Sequence, residues 1–344
     1  AGPFKFKRWE RGVQVELERF DAYWAPSARP DRIVFLENIS SDVASARFRN
    51  GDLDVLYRPS KVNRLFLRSA EPWAPYRGET PSASVFAPGL NRELPPFDPV
   101  HVRRAVAFAI DRSKLEQLDP GQVIAATQIL PPMLAPHDPD LPSKQVFDLE
   151  RAKEEMRKAG FPNGLDEPVQ LWVRGEGEVR VAQLFQQDLR EIGIEIELKM
   201  VSFATYLKET GKPRVAQAAF TGWHQDFPDP SNFMDILFHS RSIHPENSEN
   251  RSFYRNPKLD AILDRARPET DRAKRLSLYA EANAILAEEA PWAFLYYPVD
   301  MFVWQPYVKG FRPHPVWLNE YRNVWLDLPK TRVRQSDYAE ESRP

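Results

Sequence analysis

The segment Ala219-Phe220-Thr221-Gly222-Trp223-His224-Gln225-Asp226-Phe227-Pro228-Asp229-Pro230-Ser231-Asn232-Phe233 decides how the rest of the chain is read. It opens as a short apolar strand, reaches Gly222-Trp223, and runs into a loop holding two carboxylates, two prolines and several rings. A small-molecule cleft needs a large ring, a glycine that admits close backbone approach, and an acid on stiffened chain. The plainer reading is a surface turn in which Asp229-Pro230 starts the next helix. That reading is kept for Asp229 and set aside for Asp226.

On both sides of this loop strands and helices alternate. Val169–Val173 reads as a strand, Val179–Ile192 as a helix with Leu184, Phe185, Leu189 and Ile192 inward, and 194–200 as an alternating strand. A short helix at 203–210 precedes the strand at 216–223. Beyond the loop, helices are expected over Ser231–Phe238, from Asn256-Pro257 to Ala266, and over Asp271–Glu289. Ala290-Pro291 stops the last, and 292–297 reads as a buried strand.

Upstream, Asp98 is placed as N-cap and Pro99 at N1 of a helix burying Val102, Ala105, Val106, Ala109 and Ile110. Asp148 caps another helix that ends at Gly160. Residues 1–36 read as strands, Ser41 caps a helix closed by Asn50-Gly51, and 52–56 looks like a strand. The stretch 57–96 is rich in Pro, Ser and Arg, with Ser84–Asn91 as an extended crossover. The Arg-rich stretches 103–112 and 151–158 are expected to be solvated helix faces. Residues 330 onward lack apolar spacing and are expected to form a polar tail. This alternation argues for an α/β lobe over 97–300.

At 344 residues the chain is long enough for more than one core. Its hydrophobic fraction of 42% and charged fraction of 28% are those of globular proteins. The net charge of −2 supplies no general attraction to nucleic acid. With no cysteine there is no disulfide, thiolate nucleophile or Cys-based zinc site. No run of about 18 apolar residues is present to span a bilayer as a helix. The first residues carry no apolar stretch of the signal-peptide kind, so an export signal would lie outside this chain.

Several blocks together resemble the family 5 extracellular solute-binding proteins (peptide, nickel and oligosaccharide type) that serve ABC importers. Gly2-Pro3-Phe4-Lys5-Phe6 with Trp9, Leu17-Glu18-Arg19 and Tyr23-Trp24 resembles one family block, and Asn50-Gly51-Asp52-Leu53-Asp54-Val55 the next. Pro96–Ala105 with Ala109-Ile110-Asp111-Arg112 is similar to the family's helix after the crossover. Gly222-Trp223-x-x-Asp226-x-x-Asp229-Pro230 resembles its ligand-loop signature. Asn256-Pro257-x-Leu259-Asp260, Tyr279-Ala280-Glu281-Ala282, Leu286-x-Glu288-Glu289-Ala290-Pro291-Trp292 and Leu295-Tyr296-Tyr297 resemble its C-terminal half.

The resemblance implies an α/β fold of the periplasmic-binding-protein type II, two lobes joined by crossover strands and closing by hinge motion. The expected parts are 1–87 with 305–328 in the large lobe, 88–304 as the C-terminal α/β lobe, and 329–344 as tail. It also implies that the family's N-terminal accessory lobe is absent, the sequence being a fragment or the missing part being another chain. The implied function is capture of a short peptide or other amine-bearing solute outside the cytoplasm and delivery to membrane permease subunits, without catalysis, cofactor or nucleic acid. An oligosaccharide receptor and a solute-sensing or scaffold module of a regulator are the alternatives.

The resemblance places Asp226 where peptide-binding members receive the ligand's α-ammonium. Trp223 is then a wall for a ligand side chain or a core ring beneath the loop. His224 and Phe227 line the pocket, and Gly222 acts through its backbone. Asn232 and Phe233 are assigned to packing at the start of a helix. A metal at His239, His244 and Glu246 is weighed and set aside because that segment reads as polar loop. An acid pair of Asp226 and Asp229 is set aside because residues on one loop rarely flank a scissile bond.

Overall fold

The computed structural model describes residues 2–69, 73–314, 316 and 320–328; the expected tail at 329–344 lies outside them. The chain divides into two compact units, one from 1–80 and 299–344 and the other from 81–298.

In the first unit, strands β1 (Phe4–Glu10), β2 (Gln14–Arg19) and β3 (Arg32–Leu36) form an antiparallel sheet. One face carries Phe6, Leu17 and Ile33 in a cross-strand row, and Trp9, Val15 and Phe35 in another. The other face buries Glu16 beneath Lys7 at 2.7 Å and Arg8 at 3.5 Å. Helix α1 (Ser41–Asn50) is capped by Ser40, whose hydroxyl accepts the Val43 N–H. The cap is thus one residue earlier than expected, because Ser40 has the extended backbone a cap needs. Gly51 closes the helix at φ 85°, a left-handed turn that favours glycine.

Strand β4 (Val55–Tyr57) pairs with Phe302–Trp304, and α2 (Lys61–Ser69) and β5 (Arg77–Pro81) follow. The proline-rich reading of 57–96 therefore missed one helix and one strand. Phe48, Leu56, Leu67, Met301 and Val303 make the local core.

The second unit begins with β6 (Ser84–Leu90). Helix α3 (Val100–Ala109) starts one residue later than expected: Pro99 is itself the N-cap, and no side chain caps the helix. Its apolar stripe is buried as the spacing requires. Then come α4 (Ser113–Leu118), β7 (Val123–Ala125), and α5 (Leu149–Lys158) with Asp148 bonded to the Arg151 N–H at 2.9 Å. They are followed by β8 (Val169–Val173), α6 (Glu176–Arg190), β9 (Ile196–Met200), α7 (Phe203–Thr210) and β10 (Ala218–His224). Helices α8 (Ser231–Phe238), α9 (Pro257–Ala266) and α10 (Arg272–Glu289) lead to β11 (Tyr296–Trp304). Residues 292–295 precede the regular strand but already bond to β6, through Ala293 N–H to the Pro88 carbonyl and Leu295 N–H to that of Phe86. Outside this unit, β12 (Val308–Lys309) pairs with β13 (Trp325–Leu326).

β10 lies between β6, antiparallel along its whole length, and β8, parallel; β9 adds beyond β8. Alternation sends Leu90, Leu171, Val173 and Phe220 to one face under α3, α5 and α6. It sends Val85, Ala87, Trp223 and Tyr297 to the other, under α8, α9 and α10. Each fully buried large apolar side chain contributes about 1.5–3 kcal/mol, whereas an exposed ion pair contributes about 0–1 kcal/mol. The two apolar layers therefore hold this unit together.

Two arginines overturn the solvated-face expectation for 103–112. Arg103 and Arg112 are 2% and 5% exposed. Arg112 donates to the carbonyls of Phe294 at 2.6 Å, Ile110 at 3.1 Å and Ala107 at 3.2 Å. Arg103 donates to those of Phe97 at 2.8 Å and Glu289 at 3.0 Å. Guanidinium forks gather carbonyls at chain ends that no helix or strand satisfies.

Candidate functional site

The segment from Gly222 to Asn232 leaves the end of β10 and turns into α8. Pairing with β6 sets which side chains share a face: Gly222 stands opposite Phe86, Trp223 opposite Val85, and His224 opposite Ser84. A Cβ on Gly222 would lie 2.4 Å from Phe86 Cδ1. Glycine is required here so that the Phe86 ring can cross the strand. That ring stacks on Tyr296 with centroids 5.2 Å apart and an interplanar angle of 13°. The role expected for Gly222, close approach to its backbone, is therefore taken in this structure by a side chain of the protein.

His224 is exposed and meets the Phe86 ring edge-on at 5.5 Å. Its Nδ1 lies 2.6 Å from the Ser84 hydroxyl, which is 2.9 Å from that of Ser82. Trp223 turns to the opposite face, where it is half-buried against the α8–α10 layer. Its indole N–H donates to Asn232 Oδ1 at 3.1 Å.

Asn232 is fully buried in the first turn of α8. Its Oδ1 also accepts the Asp226 backbone N–H at 2.8 Å, and its Nδ2 donates to Asp226 Oδ2 at 3.3 Å. One carboxamide thus joins Trp223 and Asp226. Asp226 itself is exposed, as is Phe227 at 45%. The sequence-predicted residues fall into two groups, Trp223 with Asp226 through Asn232, and Gly222 with His224 around Phe86. The part played by Asn232 was missed, since a polar residue two places after Asp-Pro reads as helix-start packing. Its only signal is that an amide buried beside a loop must find partners there.

Asp229 helps start α8, its Oδ1 accepting the Ser231 N–H at 2.9 Å. It also makes a two-pronged ion pair with Arg275, at 2.6 and 2.8 Å. Burial alone would raise its pKa; the Arg275 guanidinium and the Ser231 donors outweigh that and hold the carboxyl below its usual range. Asp229 is thereby committed to tying the loop to α10. His239 stands apart from the loop, its Nδ1 accepting the Arg241 N–H at 3.1 Å and its Nε2 lying 3.2 Å from Asp264. Among the described residues no group of three or more His, Cys, Asp or Glu could hold a metal ion, and no helix is long and apolar enough to cross a membrane.

With this geometry in place, the family model described as bacterial extracellular solute-binding proteins, family 5 Middle, matches residues 1–244. The chain belongs to that family. This family 5 protein is 29% identical over 333 residues to Di/tripeptide-binding protein 2 of Pseudomonas aeruginosa, covering 95% of the chain and 61% of that relative. It is 26% identical to Heme-binding protein A of Haemophilus influenzae, over 95% of the chain and 59% of that relative. Its fold matches the ABC transporter-associated periplasmic binding protein DppA from Helicobacter pylori, solved with the peptide STSA, at a TM-score of 0.83 and 26% identity. That match covers 95% of this chain and 63% of the other. The architecture is thus that of the periplasmic binding proteins, and the chain spans about three-fifths of the length of these relatives.

Proposed function

We propose that this family 5 protein captures a short peptide, or a similar amine-bearing solute, for an ABC-type importer, and that Asp226 receives the solute's free ammonium. The observation that carries the reading is the pairing of an exposed carboxylate with a buried amide: Asn232 grips both the backbone and one oxygen of Asp226. An ammonium offers three donors, and a carboxylate accepts them in short charge-assisted bonds. Each such bond contributes roughly 1.5–3 kcal/mol net. Orienting the acceptor in advance lowers the ordering cost of binding.

Binding would be reversible, with no bond broken, in a periplasmic or other extracytoplasmic location, followed by delivery to permease subunits. Titration calorimetry with a short peptide and its N-acetylated copy tests the reading. Acetylation, or Asp226→Ala, is expected to weaken binding at least tenfold, about 1.4 kcal/mol. Equal affinity for the two peptides rejects the ammonium anchor.

A further inference from the structure

The first unit holds a cavity of about 520 Å³, within the size range of small-molecule sites. It opens between the end of α1, the Trp73–Tyr76 turn and the β12–β13 ladder. Gln305 lines it and is buried, its amide committed to the protein. Its Oε1 accepts the Trp73 indole N–H at 3.1 Å, and its Nε2 donates to the Phe48 carbonyl at 2.6 Å. Trp73 also packs on the Phe48 ring, with centroids 5.6 Å apart. Tyr307 is held by its hydroxyl, which donates to Asp54 Oδ1 at 3.0 Å. Two aromatic walls are therefore fixed in place by the protein itself, which lowers the ordering cost of binding.

The ladder supplies the charges. Lys309 pairs with Trp325, and the Asp327 N–H donates to the Tyr307 carbonyl at 2.8 Å. In this register Tyr307, Lys309 and Asp327 share one face, with Lys309 and Asp327 as diagonal neighbours about 7–8 Å apart. All three line the cavity. Lys309 Nζ donates to the Pro306 carbonyl at 2.8 Å and lies 5.8 Å from the centroid of the Tyr76 ring. An ammonium has three donors, so that one carbonyl leaves Lys309 with donors to spare. Among the described residues Lys309 meets no carboxylate and the Asp327 carboxylate meets no cation. Arg49, on the rim, is engaged elsewhere.

We propose that this cavity binds a compact zwitterion, an amino acid with an apolar or aromatic side chain. Its carboxylate accepts from Lys309, its ammonium donates to Asp327, and its side chain packs on Trp73 and Tyr76. Both polar contacts are charge-assisted, and each needs a ligand group of one sign. A plain anion would meet Asp327 as a like charge, and a plain cation would meet Lys309 in the same way, so the pair selects for a solute carrying both. The aromatic walls favour a flat or apolar side chain over a charged one. The site uses no residue of the 222–232 segment and does not depend on the ammonium reading of Asp226.

The test is titration calorimetry at neutral pH on the full chain carrying Asp226→Ala, so that the loop carboxylate contributes nothing. The probes are phenylalanine, phenylalanine amide and N-acetylphenylalanine, each derivative lacking one of the two charges. Phenylalanine is expected to bind, and each derivative to bind at least tenfold more weakly. Adding Lys309→Gln is expected to bring the difference between phenylalanine and its amide below twofold. Adding Asp327→Asn is expected to do the same for the difference between phenylalanine and its acetylated form. Thermal melting establishes that each variant is folded, and the three probes read the unaltered cavity whatever the variants do. Absence of phenylalanine binding at millimolar concentration overturns the assignment. So does an N-acetyl form that binds as tightly as phenylalanine, which would mark a plain anion site. Differences between probes that persist unchanged in Lys309→Gln and Asp327→Asn place the binding elsewhere and overturn it as well. The ammonium anchor is judged separately, by peptide binding to the native chain, so either reading can fail without the other.

Discussion

Asn232 and Asp226 form a closed reciprocal pair, in which the buried carboxamide accepts the Asp226 backbone N–H at 2.8 Å and returns a hydrogen to the Asp226 carboxylate at 3.3 Å. The same oxygen of Asn232 takes the Trp223 indole N–H. A helix residue that never reaches solvent thus sets the position of an exposed acid and of the ring beneath it.

Replacing that amide is expected to be costly. Asn232→Ala leaves the Trp223 N–H and the Asp226 N–H without their acceptor, a loss of about 1–3 kcal/mol. Urea unfolding followed by tryptophan fluorescence measures it. A change below about 0.5 kcal/mol, the range of ordinary surface substitutions, would remove Asn232 from its organising role.

Gly222 is a second tight point. Gly222→Ala puts a methyl 2.4 Å from Phe86 Cδ1, so the ring must leave its stack on Tyr296. Overpacking of this kind costs about 1–3 kcal/mol. Phe86→Ala in the Gly222→Ala background should return part of that loss, and a double-mutant cycle on thermal unfolding detects the coupling. Strict additivity would mean that the two residues do not compete for the same space.

The Asp229–Arg275 pair predicts a pH dependence. The folded-state pKa of Asp229 is depressed, so its stabilisation is present above the unfolded value near 3.9 and is lost as pH falls through the folded value. Both side chains keep some contact with water, at 27% and 22% exposure, which limits the pair to about 1 kcal/mol. Native protein minus Asp229→Asn, compared by urea unfolding, should show a gap at pH 6 that closes towards pH 2. A gap that widens on acidification contradicts the sign.

The buried Arg112 tests whether a charge or a fork is needed. Arg112→Lys keeps the charge but cannot span the carbonyls of Phe294, Ile110 and Ala107. A loss of about 3 kcal/mol is expected, from stranded acceptors and a buried ammonium. Unfolding within about 0.5 kcal/mol of native would show that charge alone suffices.

Most element positions in the second unit were legible because local rules and tertiary demands agree there. Asn256 caps α9 through the Lys258 and Leu259 N–H groups, and Asp271 caps α10. Helix α7 spans 203–210, as its pattern requires. At Pro99 the local preference for N1 yields to the extended backbone that the preceding turn imposes. Arg103 and Arg112 were misjudged for a different reason. Charge in a helical pattern signals solvent, and only packing shows that the carbonyls of Glu289 and Phe294, far away in sequence, reach the forks of Arg103 and Arg112 respectively.

The sequence by itself determined the family, the order of strands and helices around 219–233, and the presence of an acid, a ring and a glycine on one loop, since these follow from residue type and spacing. Tertiary structure alone decided that Asn232 ties Trp223 to Asp226, that Gly222 makes room for Phe86, and that Asp229 belongs to Arg275. Those contacts depend on which face of β10 each residue occupies and on which distant element packs there. Pairwise registry across strands and the convergence of buried polar groups are properties of the folded chain.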